Sequence, residues 1–169
     1  MRRTLLLLTT MALALLMASS VALALTRISC EAETACFGTT GADSMRGTEF
    51  ADQMSGGLGN DELNGYGDRD NLFGGDDIDT VNGGDGADTL DDWNGTNTLN
   101  GGAGDDVFVA NDGDQFGGNE ISKISGGTGN DIVYAHDFAK DTINCGAGTD
   151  HVSVDPDLDV VRGCELFSP

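Results

Sequence analysis

The sequence predicts an all-β fold, a right-handed parallel β-solenoid, and three observations predict it. A nine-residue pattern, G-G-x-G-x-D-x-U-x with U a large aliphatic, recurs in strict register from Gly38 to Val109. Glycine returns every few residues, and each one inside a helix costs roughly 1 kcal/mol. No segment beyond the N-terminal stretch shows a helical period.

The best-formed unit is Gly56 to Asn64, reading Gly-Gly-Leu-Gly-Asn-Asp-Glu-Leu-Asn. Eight units start at Gly38, Gly47, Gly56, Gly65, Gly74, Gly83, Asp92 and Gly101. Their eighth positions are Met45, Met54, Leu63, Leu72, Val81, Leu90, Leu99 and Phe108. The first two units carry Thr39 and Thr48 where the second glycine belongs, as terminal repeats often do. The seventh, from Asp92, is the poorest: it lacks the first glycine and has Asn97 at position six. Its Trp93 is read as surface packing. Residues 110–116 break the period by seven and read as a bulged loop. The pattern resumes at Gly117, with Ser122 at position six and Ile124 at position eight. A near-ideal unit follows at Gly126, and Ala135 then adds one residue. Three weaker units close the array, making thirteen in all, eleven of them with Asp at position six.

Each unit divides into six turn residues and a strand of three. Glycines permit the positive φ that a tight turn needs. Two units make one coil, and successive coils stack as parallel strands roughly 4.8 Å apart. Residues 18 apart then lie one above another. The aliphatics form two ladders facing each other across a thin core.

Both ends differ from the array. Arg2 and Arg3 precede an apolar run ending in Ala22-Leu23-Ala24, the marks of a secretory signal peptide spanning residues 1–24. The competing reading is an uncleaved membrane anchor. Residues 25–37 read as an N-terminal cap, 38–162 as the repeat domain and 163–169 as a C-terminal cap. Four cysteines lie in the exported part, which points to two disulfides with three possible pairings. Cys30–Cys36 is local, and Cys145–Cys164 spans 19 residues, close to one coil, so these pairs are expected. A zinc site would need closer ligand pairing.

The charge is one-sided. The chain has 29 acidic and 8 basic residues, a net charge of −21. Loss of residues 1–24 removes only Arg2 and Arg3 and leaves −23. Nucleic acid and anionic membranes are poor partners for such a chain, and no membrane contact is expected after cleavage. Divalent cations are good partners. Stacking sets the position-six aspartates in two rows, one along each edge, where neighbouring carboxylates repel. A hard dication between them, completed by turn carbonyls, reverses that interaction. Calcium accepts six to eight oxygens in forgiving geometry, whereas magnesium is stricter and soft metals want Cys or His.

The units resemble the hemolysin-type (RTX) calcium-binding repeats of secreted bacterial proteins over roughly residues 38–162. The resemblance implies a parallel β-roll with Ca2+ held between turns on the same edge. Carried over by position, it implies ligands at Asp43, Asp52, Asp61, Asp70, Asp79, Asp88, Asp106, Asp131, Asp141, Asp150 and Asp159. Asn97 and Ser122 are expected to weaken or abolish the sites beside them. Many such proteins use a C-terminal secretion signal and attach the roll to a toxin, protease, lipase or adhesive domain. Here the signal is N-terminal, and the repeats with their caps account for the rest of the chain.

No enzyme is expected. There is no H-E-x-x-H or G-x-S-x-G motif, and His136 and His151 fall in degenerate units. Asp76-Asp77 and Asp91-Asp92 read as turn or ligand residues rather than a glycosidase pair. The function expected is a secreted, extracellular or cell-surface calcium-binding protein whose folding is coupled to the ion. The alternative is a calcium-stabilised adhesive or ice-binding solenoid. Thr80, Thr89 and Thr98 share position seven, but only Thr80 and Thr98 share a face.

Overall fold

The computed structural model describes residues 25–31, 35–92, 94–110, 122–155 and 157–168, with no side-chain account of 166–168. The expected signal peptide, Trp93 and the loop beyond Ala110 lie outside these residues. Within them there are sixteen strands and no helix. In chain order they are β1 Thr26–Ser29, β2 Ala35–Phe37, β3 Asp43–Arg46, β4 Gln53–Leu58, β5 Glu62–Gly67, β6 Asn71–Asp76, β7 Thr80–Asp85 and β8 Thr89–Asp92. There follow β9 Thr98–Ala103, β10 Val107–Ala110, β11 Lys123–Thr128, β12 Ile132–Ala135, β13 Thr142–Ala147, β14 His151–Val154, β15 Val160–Arg162 and β16 Leu166–Ser168.

The odd strands form one eight-stranded sheet and the even strands another. Every pairing is parallel and joins a strand to the next but one in sequence. That connectivity is a β-solenoid, two strands to each coil.

Register follows the sequence period. Leu63 lies opposite Val81, and Leu72 opposite Leu90, each 18 residues on. The offset jumps where the period breaks. Leu99 pairs with Ile124 and Phe108 with Val133, so the offset rises by seven residues across the stretch between β10 and β11. Val133 pairs with Val152, which absorbs the one residue at Ala135.

Seven of the strands from β4 to β13 are six residues long, twice the length that the x-U-x pattern predicts. Stacked turns continue the ladder. Gly57 pairs with Gly75 and Gly84 with Gly102, so pairing runs through the first half of each turn. At Gly84 the backbone has φ +123°, and a Cβ there would run into the carbonyl oxygen of Tyr66 in the coil before. Tyr66, Asp68 and Asp77, standing at positions two and four where the pattern calls for glycine, take positive φ all the same, at 84°, 63° and 82°. Aspartate tolerates this region better than most side chains.

The core is one aliphatic thick per strand. Met45, Leu63, Val81, Leu99 and Ile143 line one sheet, and Met54, Leu72, Leu90, Phe108 and Val133 line the other, all buried in a single cluster. Disulfides Cys30–Cys36 and Cys145–Cys164 close the two ends, with Cα separations of 5.6 and 5.3 Å. β1 and β2 come from the expected N-terminal cap and extend the stack by one coil. Among the described residues no helix is long and apolar enough to cross a membrane.

Each coil contacts only its neighbours, so damage to one ladder rung weakens two interfaces. Leu90→Ala, at a wholly buried rung between Leu72 and Phe108, is expected to cost about 2–5 kcal/mol. Gly84→Ala adds a backbone clash to a left-handed residue and should be at least as harmful. Thermal melts in calcium-containing buffer check both; an unchanged Tm for Gly84→Ala would contradict the stacked-turn geometry.

Candidate metal centre

The position-six aspartates form two columns, one where each sheet's strands begin. Asp43 opens β3, Asp61, Asp79, Asn97, Ser122, Asp141 and Asp159 precede the later odd strands, and Asp52, Asp70, Asp88, Asp106, Asp131 and Asp150 precede even ones. Nearly all are buried to within a few per cent of complete.

One oxygen of each carboxylate has a fixed task. The Asp43 N–H donates to Asp61 Oδ1 at 2.8 Å, Asp61 N–H to Asp79 Oδ1 at 2.8 Å, and Asp79 N–H to Asn97 Oδ1 at 2.9 Å. Beyond the interruption, Ser122 N–H donates to Asp141 Oδ1 and Asp141 N–H to Asp159 Oδ1. The other column repeats the bond from Asp52 through Asp70, Asp88, Asp106 and Asp131 to Asp150, at 2.8–3.0 Å. Asp150 N–H then donates to Glu165, which tops the column. So each carboxylate from Asp61 and Asp70 onward ties its coil to the coil before.

The second oxygen is the informative one. In Asp61, Asp70, Asp79, Asp88, Asp106, Asp131, Asp141 and Asp150, Oδ2 is buried with no hydrogen-bond partner. An unsatisfied buried carboxylate oxygen is costly, and eight in register call for a cation or a proton. In regular units this oxygen sits against the position-one glycine. A Cβ on Gly65, Gly83, Gly101 or Gly126 would strike the Oδ2 of Asp70, Asp88, Asp106 or Asp131. Glycine there keeps open the space beside the carboxylate.

Main-chain oxygens are also at hand. Carbonyls at positions two and four aim along the stack: Gly84 O points at Gly102, and Gly86 O at Gly104. Among the described residues no three His, Cys, Asp or Glu side chains converge on a metal cage. Any ion here is therefore shared between carboxylates and carbonyls, a donor set of hard oxygens that fits calcium.

The end units differ. Asp43 Oδ2 accepts from the N–H and hydroxyl of Thr39 at 2.5 and 2.9 Å, and Asp52 Oδ2 from those of Thr48 at 2.6 and 3.0 Å. The threonines that replace glycine thus supply hydrogen bonds to the carboxylate, although Asp43 and Asp52 each keep a buried Oδ1 without one. Asp159 has both oxygens engaged, by the N–H groups of Asp141 and Asp155.

Three buried aspartates lie off the position-six pattern: Asp92, Asp137 and Asp155. Asp155 accepts from the N–H groups of Asp137 and Phe138, and its Oδ1 lies 3.5 Å from His136 Nε2. Asp137 and Asp155 carried a signal, two acidic residues 18 apart at position two, where the pattern has glycine. Asp92 carried one as well, an acidic residue at position one in the unit that has Asn at position six. Of the outward residues, Thr80 and Thr98 are in register, but Glu62 and Lys123 flank them in the same row. Beside them, Asn64, Asn82 and Asn100 form a ladder of side-chain hydrogen bonds at 2.9 and 2.8 Å. Asp150 is buried in its column while its neighbour His151 is half-exposed.

Burial shapes the electrostatics. Loss of solvent raises Asp61 to about 6 and Asp70, Asp79, Asp106 and Asp141 to about 7. The inter-coil N–H bond pulls each back, and neighbouring aspartates push each up further. Asp88, Asp131 and Asp159 are raised for the same first cause.

A parallel solenoid lined by two buried carboxylate columns is a scaffold for hard cations. A sequence model of the RTX calcium-binding nonapeptide repeat, four copies long, matches residues 37–72, 64–91, 73–108, 94–114 and 116–152. The chain belongs to that family, and its fold is the family's β-roll. Neither the curated proteins nor the solved structures give a match.

A pH dependence follows for the ion-free chain. A carboxyl raised from 3.8 to about 7 on folding holds its proton more tightly folded than unfolded. Its contribution is full below 3.8 and is lost as pH rises through about 7. Without divalent ions, the β signal in circular dichroism should therefore be stronger near pH 4 than near pH 8. Equal signals at both would contradict the burial of these groups.

Proposed function

We propose that this chain is a secreted calcium-binding β-roll whose folding is coupled to the ion. The observation that carries the reading is the register of eight buried Oδ2 atoms without hydrogen-bond partners. Asp61, Asp70, Asp79, Asp88, Asp106, Asp131, Asp141 and Asp150 would hold Ca2+ together with turn carbonyls. The ion supplies a positive charge that neutralises both neighbours in a column. Asp43, Asp52 and Asp159, engaged by hydrogen bonds from the chain itself, would contribute less.

Coupling to folding has a physical basis. A core one aliphatic thick buries little, and the charge of −21 opposes compaction. An ion that binds only the folded chain adds its binding free energy to stability. Export is supported by the two disulfides, which persist in oxidising surroundings, and by the signal-like residues 1–24. The alternative of an adhesive or ice-binding solenoid draws little support from a threonine row broken after two rungs.

Circular dichroism and calorimetric titration test the reading. Calcium should bind the EGTA-treated chain and restore its β signal. Binding near pH 6–7 should release protons, seen as a heat that changes with the buffer's ionisation enthalpy. Asp88→Asn should weaken calcium binding by about tenfold or more, roughly 1.4 kcal/mol, and Asp159→Asn by clearly less. An unchanged β signal after EGTA would defeat the coupling, and no heat on adding calcium would defeat the binding.

A further inference from the structure

The seventh unit departs from the pattern three times, at Asp92, Trp93 and Asn97, and the first and last of these both lie against Asp79. Position one on the β-even side runs through Gly38, Gly56 and Gly74, then Asp92, then Ala110. The row continues with Ala135 and Val154. Asp92 is 1% exposed, a carboxylate set between a glycine and an alanine.

Its side chain points back along the stack. Asp92 Oδ1 accepts from the Gly75 N–H at 3.4 Å. Asp92 Oδ2 lies 2.5 Å from the point where a Cβ on Gly74 would stand, and Asp79 Oδ2 lies 2.7 Å from that same point. Asp79 is itself 1% exposed, and its Oδ2 has no hydrogen-bond partner. Two buried carboxylate oxygens thus converge on one small space that glycine keeps open. The other charges acting on Asp79 are those of Asp61, Asp77 and Asp76, all of the same sign.

Asn97 completes the picture. Its Oδ1 keeps the structural task of the column, accepting from the Asp79 N–H at 2.9 Å. Its buried Nδ2 occupies the place of the second carboxylate oxygen and has no partner. In regular units that oxygen stands against position one, where this unit has Asp92. The charge is therefore moved from position six to position one.

We propose that Asp92 is a metal ligand outside the nonapeptide pattern, binding a divalent cation with Asp79 at the corner between β6 and β8. It restores the carboxylate that Asn97 removes from the column, so the roll keeps an ion where the repeat is poorest. This rests on the calcium reading above.

The test counts ions in the full mature chain by equilibrium dialysis with calcium, and follows terbium emission on excitation of Trp93. Trp93 is the single tryptophan and adjoins Asp92 in sequence. Asp92→Gly gives this unit the glycine found at position one elsewhere, which keeps the backbone unburdened. It should bind one calcium fewer than the wild type and lose most tryptophan-sensitised terbium emission, with the β signal in excess calcium retained. Asp92→Gly combined with Asn97→Asp rebuilds a regular unit and should regain the missing ion. Asp131→Asn, far along the stack, should lower the count while leaving the tryptophan-sensitised emission. An unchanged count and emission in Asp92→Gly overturns the proposal and assigns the carboxylate pair a shared proton instead. A wild type that binds no calcium overturns the calcium reading itself, and this proposal with it. Should Asp92→Gly fail to fold, Asp92→Asn is read in the same way; full stoichiometry at unchanged affinity overturns the proposal.

Discussion

The bond from one aspartate's backbone N–H to the next coil's carboxylate is the constraint on which this molecule depends. It spans the coils at the point where each strand begins, and it recurs at 2.8–3.0 Å along both columns. It fixes the side chain's rotation, and by doing so it fixes where the second oxygen must go. That oxygen is sent into the turn, out of water, against a glycine. A single hydrogen bond thus holds the stack together and creates the charged interior that the stack must then neutralise.

The conflict between those two roles explains how the chain is built. Its apolar core is too thin to tolerate a row of buried like charges unaided. Protons, cations and hydrogen bonds are the available remedies, and different parts of the roll use different ones. At the N-terminal end Thr39 and Thr48 donate to Asp43 and Asp52. At the C-terminal end backbone N–H groups occupy both oxygens of Asp159. Disulfides tie down the two ends, where a coil has a neighbour on only one side. Between them, the regular turns leave an oxygen for an ion and aim their carbonyls along the same axis.

Much of this was legible in the sequence because the fold is nearly one-dimensional. Contacts lie 18 residues apart, so a period in the chain is a column in space. The expected disulfides, the core ladders through Leu63, Leu72 and Leu90, and the jump in register after Val109 all follow from counting. Strand length did not follow, because residues such as Gly57 and Gly84 are turn formers by type and become ladder members only when another turn stacks upon them. The roles of Asp137 and Asp155 were hidden for a similar reason. They stand 18 residues apart but at position two, off the ligand position, and the hydrogen bond between them is seen only once the coils are stacked.

What the sequence determined by itself was the period, and through it the solenoid, the two aspartate columns and the hard-oxygen chemistry of the turns. Tertiary structure decided which carboxylate oxygens are left over. Asp43, Asp88 and Asp159 occupy the same position in the repeat, yet the first is met by a threonine turn, the second has a bare Oδ2, and the third is filled by backbone donors. The same holds for Asp92, which the pattern places at a glycine position and the fold turns toward Asp79. A repeat states which residues will be neighbours, but hydrogen bonding is a matter of ångströms and direction, and those are set only once the coils are stacked.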